Sequence, residues 1–287
     1  MMKRQELPRA PFFDAEALRI ELTAMFKASD GPDDCRPKVL KRLKELVTDA
    51  HQGARARLEA TAQGRDCAAA LSTFHDELIH LIFDYTAAHV YHPTTSGSRD
   101  EKISVAATGG YGRGQLAPYS DIDLLFILPY RQTPWSESVA EYMLYMLWDL
   151  GLKVGHATRT VSQCVALARS DMTIRTSLLD TRYLLGDREL FEDFETRFRE
   201  DVVKGTAREF IAAKMGEREN RHAQTGESRY RVEPNVKDGK GGLRDLHTLH
   251  WLSSYVYGCG LDGEDLPKGV FEDEEIKTFH RSEDFLW

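Results

Sequence analysis

One stretch of the sequence limits the possible folds more than any other. An apolar, β-prone run over residues 103–108 ends in Gly109-Gly110, and a spacer of residues 111–120 leads to Asp121 and Asp123. The acids continue directly into a second apolar run that Pro129 closes. The first run predicts a strand that enters a turn, and residues 121–128 predict a second strand. Together they indicate a small sheet with polar groups gathered where two strands meet.

The two acids are expected to hold a cation. Side chains two positions apart on a strand project from the same face, so Asp121 and Asp123 should lie together. Two adjacent carboxylates repel each other unless a cation lies between them. Mg2+ is commonly held by one or two carboxylates and by substrate phosphates. We therefore predict Asp121 and Asp123 as catalytic metal ligands and Mg2+ as the cofactor.

The glycine turn is expected to bind phosphate. Without Cβ atoms, the backbone N–H groups of Gly109 and Gly110 can approach a phosphate and donate to it. A short helix predicted over residues 111–116 would add the positive partial charge of its N-terminus. Arg113 lies close enough in the sequence to contribute guanidinium donors. Gly109, Gly110, Arg113 and Ser120 are the predicted nucleotide-binding residues.

The order of these features is more informative than any one of them. A Gly-Gly pair alone is usually a turn, and two alternating acids alone often lie on a solvated face. Strand, Gly-Gly, spacer and paired acids together resemble the DNA polymerase beta-type nucleotidyltransferase superfamily. Within it, residues 109–123 (GGYGRGQLAPYSDID) resemble the protein-PII uridylyltransferases almost residue for residue. Residues 148–156 and 233–246 resemble the same family, and a related GGxRD run occurs in the glutamine synthetase adenylyltransferases.

The resemblance implies a fold and a reaction. The fold would be α/β (α+β), with a small mixed sheet of nucleotidyltransferase type flanked by helices. The reaction would transfer UMP from UTP to a tyrosine of the PII nitrogen-signalling protein and release pyrophosphate, so UTP and PII are the implied partners. Two alternatives stay open: an adenylyltransferase that acts on another protein, and a catalytically inert nucleotide-binding module.

Composition limits the partners and the location. The 287 residues carry a formal net charge of -8, which argues against nucleic acid as the main partner. No segment approaches the roughly 18 continuous apolar residues that a membrane helix needs, and the N-terminus does not resemble a signal peptide. The four cysteines are far apart, which favours reduced thiols. We therefore expect a cytoplasmic protein that binds neither nucleic acid nor membranes.

Helical periodicity and loop signals predict three parts. Residues 1–92 are expected to form a helical N-terminal segment, 99–161 the nucleotidyltransferase core, and 162–287 a helical region. The last helical stretch has no stop signal, so we expect that this region is truncated at the C-terminus. The resemblance implies that an HD-type phosphohydrolase domain and ACT domains would lie beyond Trp287.

A third carboxylate, which the superfamily usually places on a later strand, is missing where we expect it. The predicted third strand, residues 152–161, contains no Asp or Glu. Asp149, Asp180 and Asp245 are candidates for this role, and a site with two acids is the alternative.

Two further segments have both a functional and a structural interpretation. In the glycine-rich loop 233–245, Lys237, Lys240 and Arg244 either reach the triphosphate or the acceptor, or belong to a structural connection. His75-Asp76 has the composition of a metal-hydrolase dipeptide, but on a helix an ordinary core or surface histidine is the favoured interpretation.

Overall fold

The computed structural model describes residues 12–92, 101–225, 235–258 and 269–287. Helices form most of these residues. They are α1 (Ala15–Lys27), α2 (Pro32–Thr61), α3 (Gly64–Tyr85), α4 (Gly109–Gly112), α5 (Pro134–Asp149), α6 (Val161–Ser170), α7 (Met172–Leu179), α8 (Arg188–Phe198), α9 (Ala207–Thr225), α10 (Leu243–Tyr257) and α11 (Asp273–Leu286). The strands are β1 (Ser104–Ala107), β2 (Ile122–Leu128), β3 (Val154–Thr160) and β4 (Arg182–Gly186). None of the helices in the described ranges combines the length and apolar character needed to cross a membrane.

The chain divides into two compact units. The first comprises Met1–Gln163 and Asp180–Asp193, and the second comprises Cys164–Leu179 and Phe194–Trp287. The whole sheet, the glycine turn and both predicted metal ligands lie in the first unit. The candidate site can therefore be described within that unit alone. The three-part division made from the sequence stays a prediction.

The strands form one mixed sheet. Its order is β3-β2-β1-β4, with β1 antiparallel to both β2 and β4 and with β2 parallel to β3. The predicted α/β (α+β) class with a small mixed sheet flanked by helices is confirmed. The strand β4 was not predicted, because it lies within residues 162–287, which were expected to form a helical region. Five residues are too short for a periodicity that separates strand from helix.

One face of the sheet packs on helices and fixes the direction of the acids. Ile122, Leu124 and Phe126 of β2 belong to the core that also contains residues of α2, α3 and α5. Since alternate residues of a strand point to opposite faces, Asp123 projects from the face opposite this core. The apolar alternation of β2 thus sets which side of the sheet can carry chemistry.

The ends of several elements follow from local sequence. Thr133 caps α5 in a capping box with Ser136, and Pro134 takes the first helical position. The helix predicted over 111–116 was wrong: the structure has the single turn α4, which ends earlier. Gly114 has φ +71°, a left-handed conformation that a right-handed helix cannot continue through.

The core predicts a large effect for one leucine of α3. Leu78 is 0% exposed, so Leu78→Ala should lower the free energy of unfolding by about 2–5 kcal/mol. Ile20 of α1 is 64% exposed, and Ile20→Ala should change it by less than about 0.5 kcal/mol. Urea denaturation of both variants measures the difference, and equal effects would contradict the assigned core.

Candidate active site

The two predicted metal ligands lie at the beginning of β2. Asp121 immediately precedes the strand and is exposed, while Asp123 is its second residue and is half-buried. Burial raises the pKa of the Asp123 carboxyl, and the negative charge of Asp121 raises that pKa further. The two acids therefore interact electrostatically, and their joint role as metal ligands stays a prediction.

The Asp123 carboxylate lies between two glycines of neighbouring elements. A Cβ atom at Gly155 would lie 2.4 Å from Oδ1 of Asp123, and one at Gly109 would lie 3.2 Å from Oδ2. Gly155 is the direct partner of Asp123 in the β2–β3 register, so both residues face the same side of the sheet. The carboxylate fits because neither neighbour has a side chain there.

Gly155 is a residue whose contribution sequence reasoning missed. The sequence showed an absence, since the third predicted strand has no acid where the superfamily usually has one. The register now places Gly155 directly beside Asp123, where a larger side chain would collide with the carboxylate. The missing acid could have indicated that this position must be small, but that inference requires the pairing of β2 with β3, which the sequence does not specify.

The glycine turn joins the end of β1 to the same place. Gly109 has φ +59°, which glycine adopts without strain, and the N–H of Thr108 donates to the backbone oxygen of Asp123 at 3.0 Å. The N–H groups of Gly112 and Arg113 donate back to Thr108 and Gly109. The N–H groups of Gly109 and Gly110, at the start of the turn, have no acceptor within it. The glycine turn and the acid pair therefore adjoin.

The predicted phosphate ligand Arg113 has a protein partner. Its guanidinium donates to the carboxylate of Asp180, and the two side chains are 9% and 3% exposed. This buried ion pair makes Asp180, one candidate for the third acid, a partner of Arg113. Binding of phosphate by Arg113 stays a prediction.

The other two candidates for the third acid also have cationic partners. Asp149 at the end of α5 lies 2.5 Å from the guanidinium of Arg36. Asp245, in the second unit, contacts Arg221 at 2.5 Å and His222 at 3.0 Å, and it accepts from the N–H of Gly241 at 2.8 Å. Asp245 thus ties the glycine-rich loop to α9, as the structural interpretation of that loop expected.

The basic side chains of this loop were given two interpretations. Arg244 lies 3.7 Å from Asp238 and over the ring of Trp251, while Lys237 and Lys240 are exposed. These contacts give Arg244 a structural role within the second unit. Residues 233 and 234 lie outside the described residues.

Ser120 and Tyr119 form the turn that leads to Asp121. Ser120 is exposed, and its N–H donates to the backbone oxygen of Ala117 at 3.0 Å. Tyr119 has φ +64°, a left-handed conformation that is uncommon outside glycine, and its ring lies edge-on to His51 at 5.5 Å. Such strained residues cluster near functional sites. Nothing in the sequence signals this conformation.

The His75-Asp76 dipeptide has a structural geometry. A ring nitrogen of His75 lies 2.7 Å from the backbone oxygen of Leu71, and burial lowers the pKa of His75 to about 4. A neutral histidine in the core agrees with the favoured interpretation. Asp76 instead contacts Tyr111 and Arg182.

The donors at Asp121 and Asp123 fit a hard divalent cation. Within the described ranges, no group of three or more His, Cys, Asp and Glu side chains is arranged to hold a metal. A cation here would take two carboxylates from the protein and its remaining oxygens from phosphate and water, which is a common environment for Mg2+.

A mixed sheet that carries a glycine turn beside paired acids defines a nucleotidyltransferase domain. Comparison with known families agrees, because residues 96–175 match the family model described as a nucleotidyltransferase domain. Residues 209–287 match a second model, described as GlnD PII-uridylyltransferase.

Comparison with individual proteins shows which nucleotidyltransferases this chain is similar to. The chain is 51% identical over 276 residues to the bifunctional uridylyltransferase/uridylyl-removing enzyme of Bradyrhizobium sp. strain ORS 278. It is 51% identical over 277 residues to the protein of the same name from Rhodopseudomonas palustris. Each alignment covers 96% of this chain and 30% of the relative, so the chain spans about 30% of the length of the curated relatives it matches. The chain is therefore similar, over 96% of its length, to part of these relatives.

The charge of the acid pair predicts a stability effect. Because the pKa of Asp123 is raised by folding, its contribution to stability is fully present below the unfolded pKa and is lost as pH rises through the folded pKa. Asp123→Asn should therefore raise the Tm at pH 7 without divalent cations, by about 1–3 °C. This rise in Tm should disappear below pH ~3.5, where the carboxyl of Asp123 is protonated in both the folded and the unfolded protein. Asp49→Asn on the exposed face of α2 is the control, and a lower Tm for Asp123→Asn would contradict the assignment.

The gap beside Asp123 predicts the effect of adding a methyl group. Gly155→Ala places a carbon 2.4 Å from Oδ1, so the carboxylate must move. Displacement of a reacting group by about 1 Å can lower rates about 100-fold, and we expect at least a tenfold loss of nucleotidyl transfer. Gly216→Ala in α9, where a Cβ meets nothing within 4 Å, is the matched control. Equal activity of the two variants would contradict this geometry.

Proposed function

We propose that this chain transfers UMP from UTP to a tyrosine of the PII nitrogen-signalling protein and releases pyrophosphate, with Mg2+ as the cofactor. The observation that carries the proposal is the Asp123 carboxylate, held beside Asp121 and between Gly109 and Gly155. The relatives at 51% identity are named uridylyltransferases, which supports UTP as the donor, and the family model described as GlnD PII-uridylyltransferase supports PII as the acceptor. The site supplies the chemistry.

Each part of the site has a role in this reaction. The N–H groups of Gly109 and Gly110 would donate to the triphosphate, while Asp121 and Asp123 would hold the cation. A cation held by Asp121 and Asp123 would neutralise charge on the leaving pyrophosphate and would lower the pKa of an attacking hydroxyl. The tyrosine hydroxyl would lose its proton to solvent, and its oxygen would bond to the α-phosphorus as the bond to the pyrophosphate oxygen breaks. Positioning and electrostatics then account for most of the rate.

Ser120 and Arg113, the other two predicted nucleotide-binding residues, also have roles in the proposed reaction. Ser120 is exposed next to Asp121, so its hydroxyl can reach a bound nucleotide. Arg113 holds Asp180 and acts on the nucleotide through the glycine turn that it follows. We propose that the chain uses two carboxylates, since Asp149 and Asp180 both have cationic partners.

The location and the other partner classes follow from the composition. Cys35, Cys67 and Cys164 are buried and form no disulfide among the described residues, which supports the expected cytoplasmic location. The net charge of -8 supports a small anionic substrate bound by a local site over binding to a nucleic acid backbone.

A labelled-transfer assay tests the proposal. With UTP labelled at the α-phosphate and Mg2+ present, label is expected to pass to PII, and Asp123→Asn should reduce the rate about 100-fold or more because it removes a carboxylate that holds the cation. Asp49→Asn is the control for the loss of one surface charge.

ATP is assayed beside UTP because the two alternatives give different results. Transfer from ATP in place of UTP would identify an adenylyltransferase. Binding of either triphosphate without transfer to any acceptor would identify an inert nucleotide-binding module. Full activity of Asp123→Asn would contradict the proposed role of the acid pair.

A further inference from the structure

Asp76 of α3 connects three elements behind the glycine turn. Its Oδ1 accepts from the hydroxyl of Tyr111 at 2.7 Å and from Nη2 of Arg182 at 3.1 Å. Its Oδ2 accepts from Nη1 of Arg182 at 2.7 Å. One carboxylate thereby binds a side chain of α4 and, through a two-point contact, a side chain of β4. We call Asp76, Tyr111 and Arg182 the anchor cluster.

Arg182 extends the anchor cluster to the backbone of the turn. Its Nε donates to the carbonyl oxygen of Gly112 at 3.2 Å, and its Nη2 donates to that of Tyr111 at 3.2 Å. The guanidinium also lies over the Tyr111 ring, 5.5 Å from its centre. Two carbonyl groups of α4 are therefore fixed by a side chain from another part of the sheet.

The glycine turn needs this external support. It has only four residues, Gly109–Gly112, and three of them are glycine, the ordinary residue that loses most conformational freedom on folding. A single isolated helical turn does not form stably in water. The direction of its N–H groups must therefore be set by tertiary contacts, and Asp76 and Arg182 provide them.

A role in stability alone does not account for the anchor cluster. Ion pairs that are partly or fully buried contribute little net stability, because desolvation offsets the Coulombic attraction. A two-point contact between a guanidinium and a carboxylate also fixes the relative orientation of the two groups. In this protein, the contact fixes the orientation of the glycine turn, which adjoins Asp123.

We propose that Asp76, Arg182 and Tyr111 are positioning residues that hold the glycine turn in the orientation in which its N–H groups bind the triphosphate. This inference rests on the proposed function. None of the three side chains needs to touch the nucleotide, because they act through the backbone of residues 109–112. The N-terminal helices thereby take part in the site.

Two measurements test the inference on Asp76→Asn and Tyr111→Phe. Asp76→Asn keeps the size of the side chain and removes its charge, and Tyr111→Phe removes one hydroxyl. Hydrogen exchange at the amides of residues 109–113 should become about tenfold faster in Asp76→Asn, because the turn opens locally. The KM for UTP should rise about tenfold in Asp76→Asn and about threefold in Tyr111→Phe, which corresponds to the loss of one hydrogen bond or of a charge-assisted pair. The kcat at saturating UTP should stay within about threefold.

Leu22→Ala is the control for lost stability. Leu22 of α1 is buried in the core and is not one of the hydrogen-bond partners of the anchor cluster, so this variant should lower the Tm but leave the exchange of the turn and the KM for UTP unchanged. Arg182→Gln combined with Asp76→Asn should be no worse than the worse single variant, since both remove the same contact.

The outcomes separate the inference from the proposed function. Unchanged exchange at residues 109–113 in folded Asp76→Asn would overturn the inference even if the wild type transfers UMP. Faster exchange with an unchanged KM, or a KM effect equal to that of Leu22→Ala, would overturn the role in nucleotide binding. Failure of the wild type to transfer label from UTP would overturn the proposed function, and the exchange experiment would still decide whether Asp76 holds the turn.

Discussion

The site depends on a half-buried carboxylate that is placed beside a second carboxylate. Asp123 loses hydration and lies in the field of Asp121, and both effects oppose its ionisation. The fold tolerates this because β2 presents its apolar side to the helical core and because Gly109 and Gly155 leave space on the other side. The unfavourable energy of the pair is the physical reason that a cation would bind there.

The helices of the first unit serve this arrangement in two ways. Helices α2, α3 and α5 supply the core against which the even-numbered residues of β2 pack, and this sets the face from which Asp123 projects. Asp76 of α3 also reaches the turn directly through Tyr111 and Arg182. The N-terminal helices and the sheet consequently belong to one compact unit, although the sequence pattern changes sharply between them.

Local patterns in the sequence predicted most elements, and non-local contacts account for what they missed. Helix α10 (Leu243–Tyr257) lies in the region that was expected to be helical, and Gly258 ends it in a left-handed conformation. Asp121 and Asp123 could be paired from the alternation of one strand. The role of Gly155 depends on the β2–β3 register, and that of Asp76 depends on contacts 35 and 106 positions away. Contacts between residues so far apart in the sequence produce no local sequence pattern.

The absence of an acid on β3 bears on how the proposed reaction would assemble its site. A third carboxylate at Gly155 would occupy the space that Asp123 needs, so these two arrangements exclude each other in this geometry. With two protein carboxylates, Mg2+ would draw more of its ligands from the triphosphate than it would in a three-acid site. The cation and UTP should then bind cooperatively, since each supplies contacts that the other lacks. The glycine turn would position the phosphates for this shared coordination, which links the proposed role of the anchor cluster to metal binding as well.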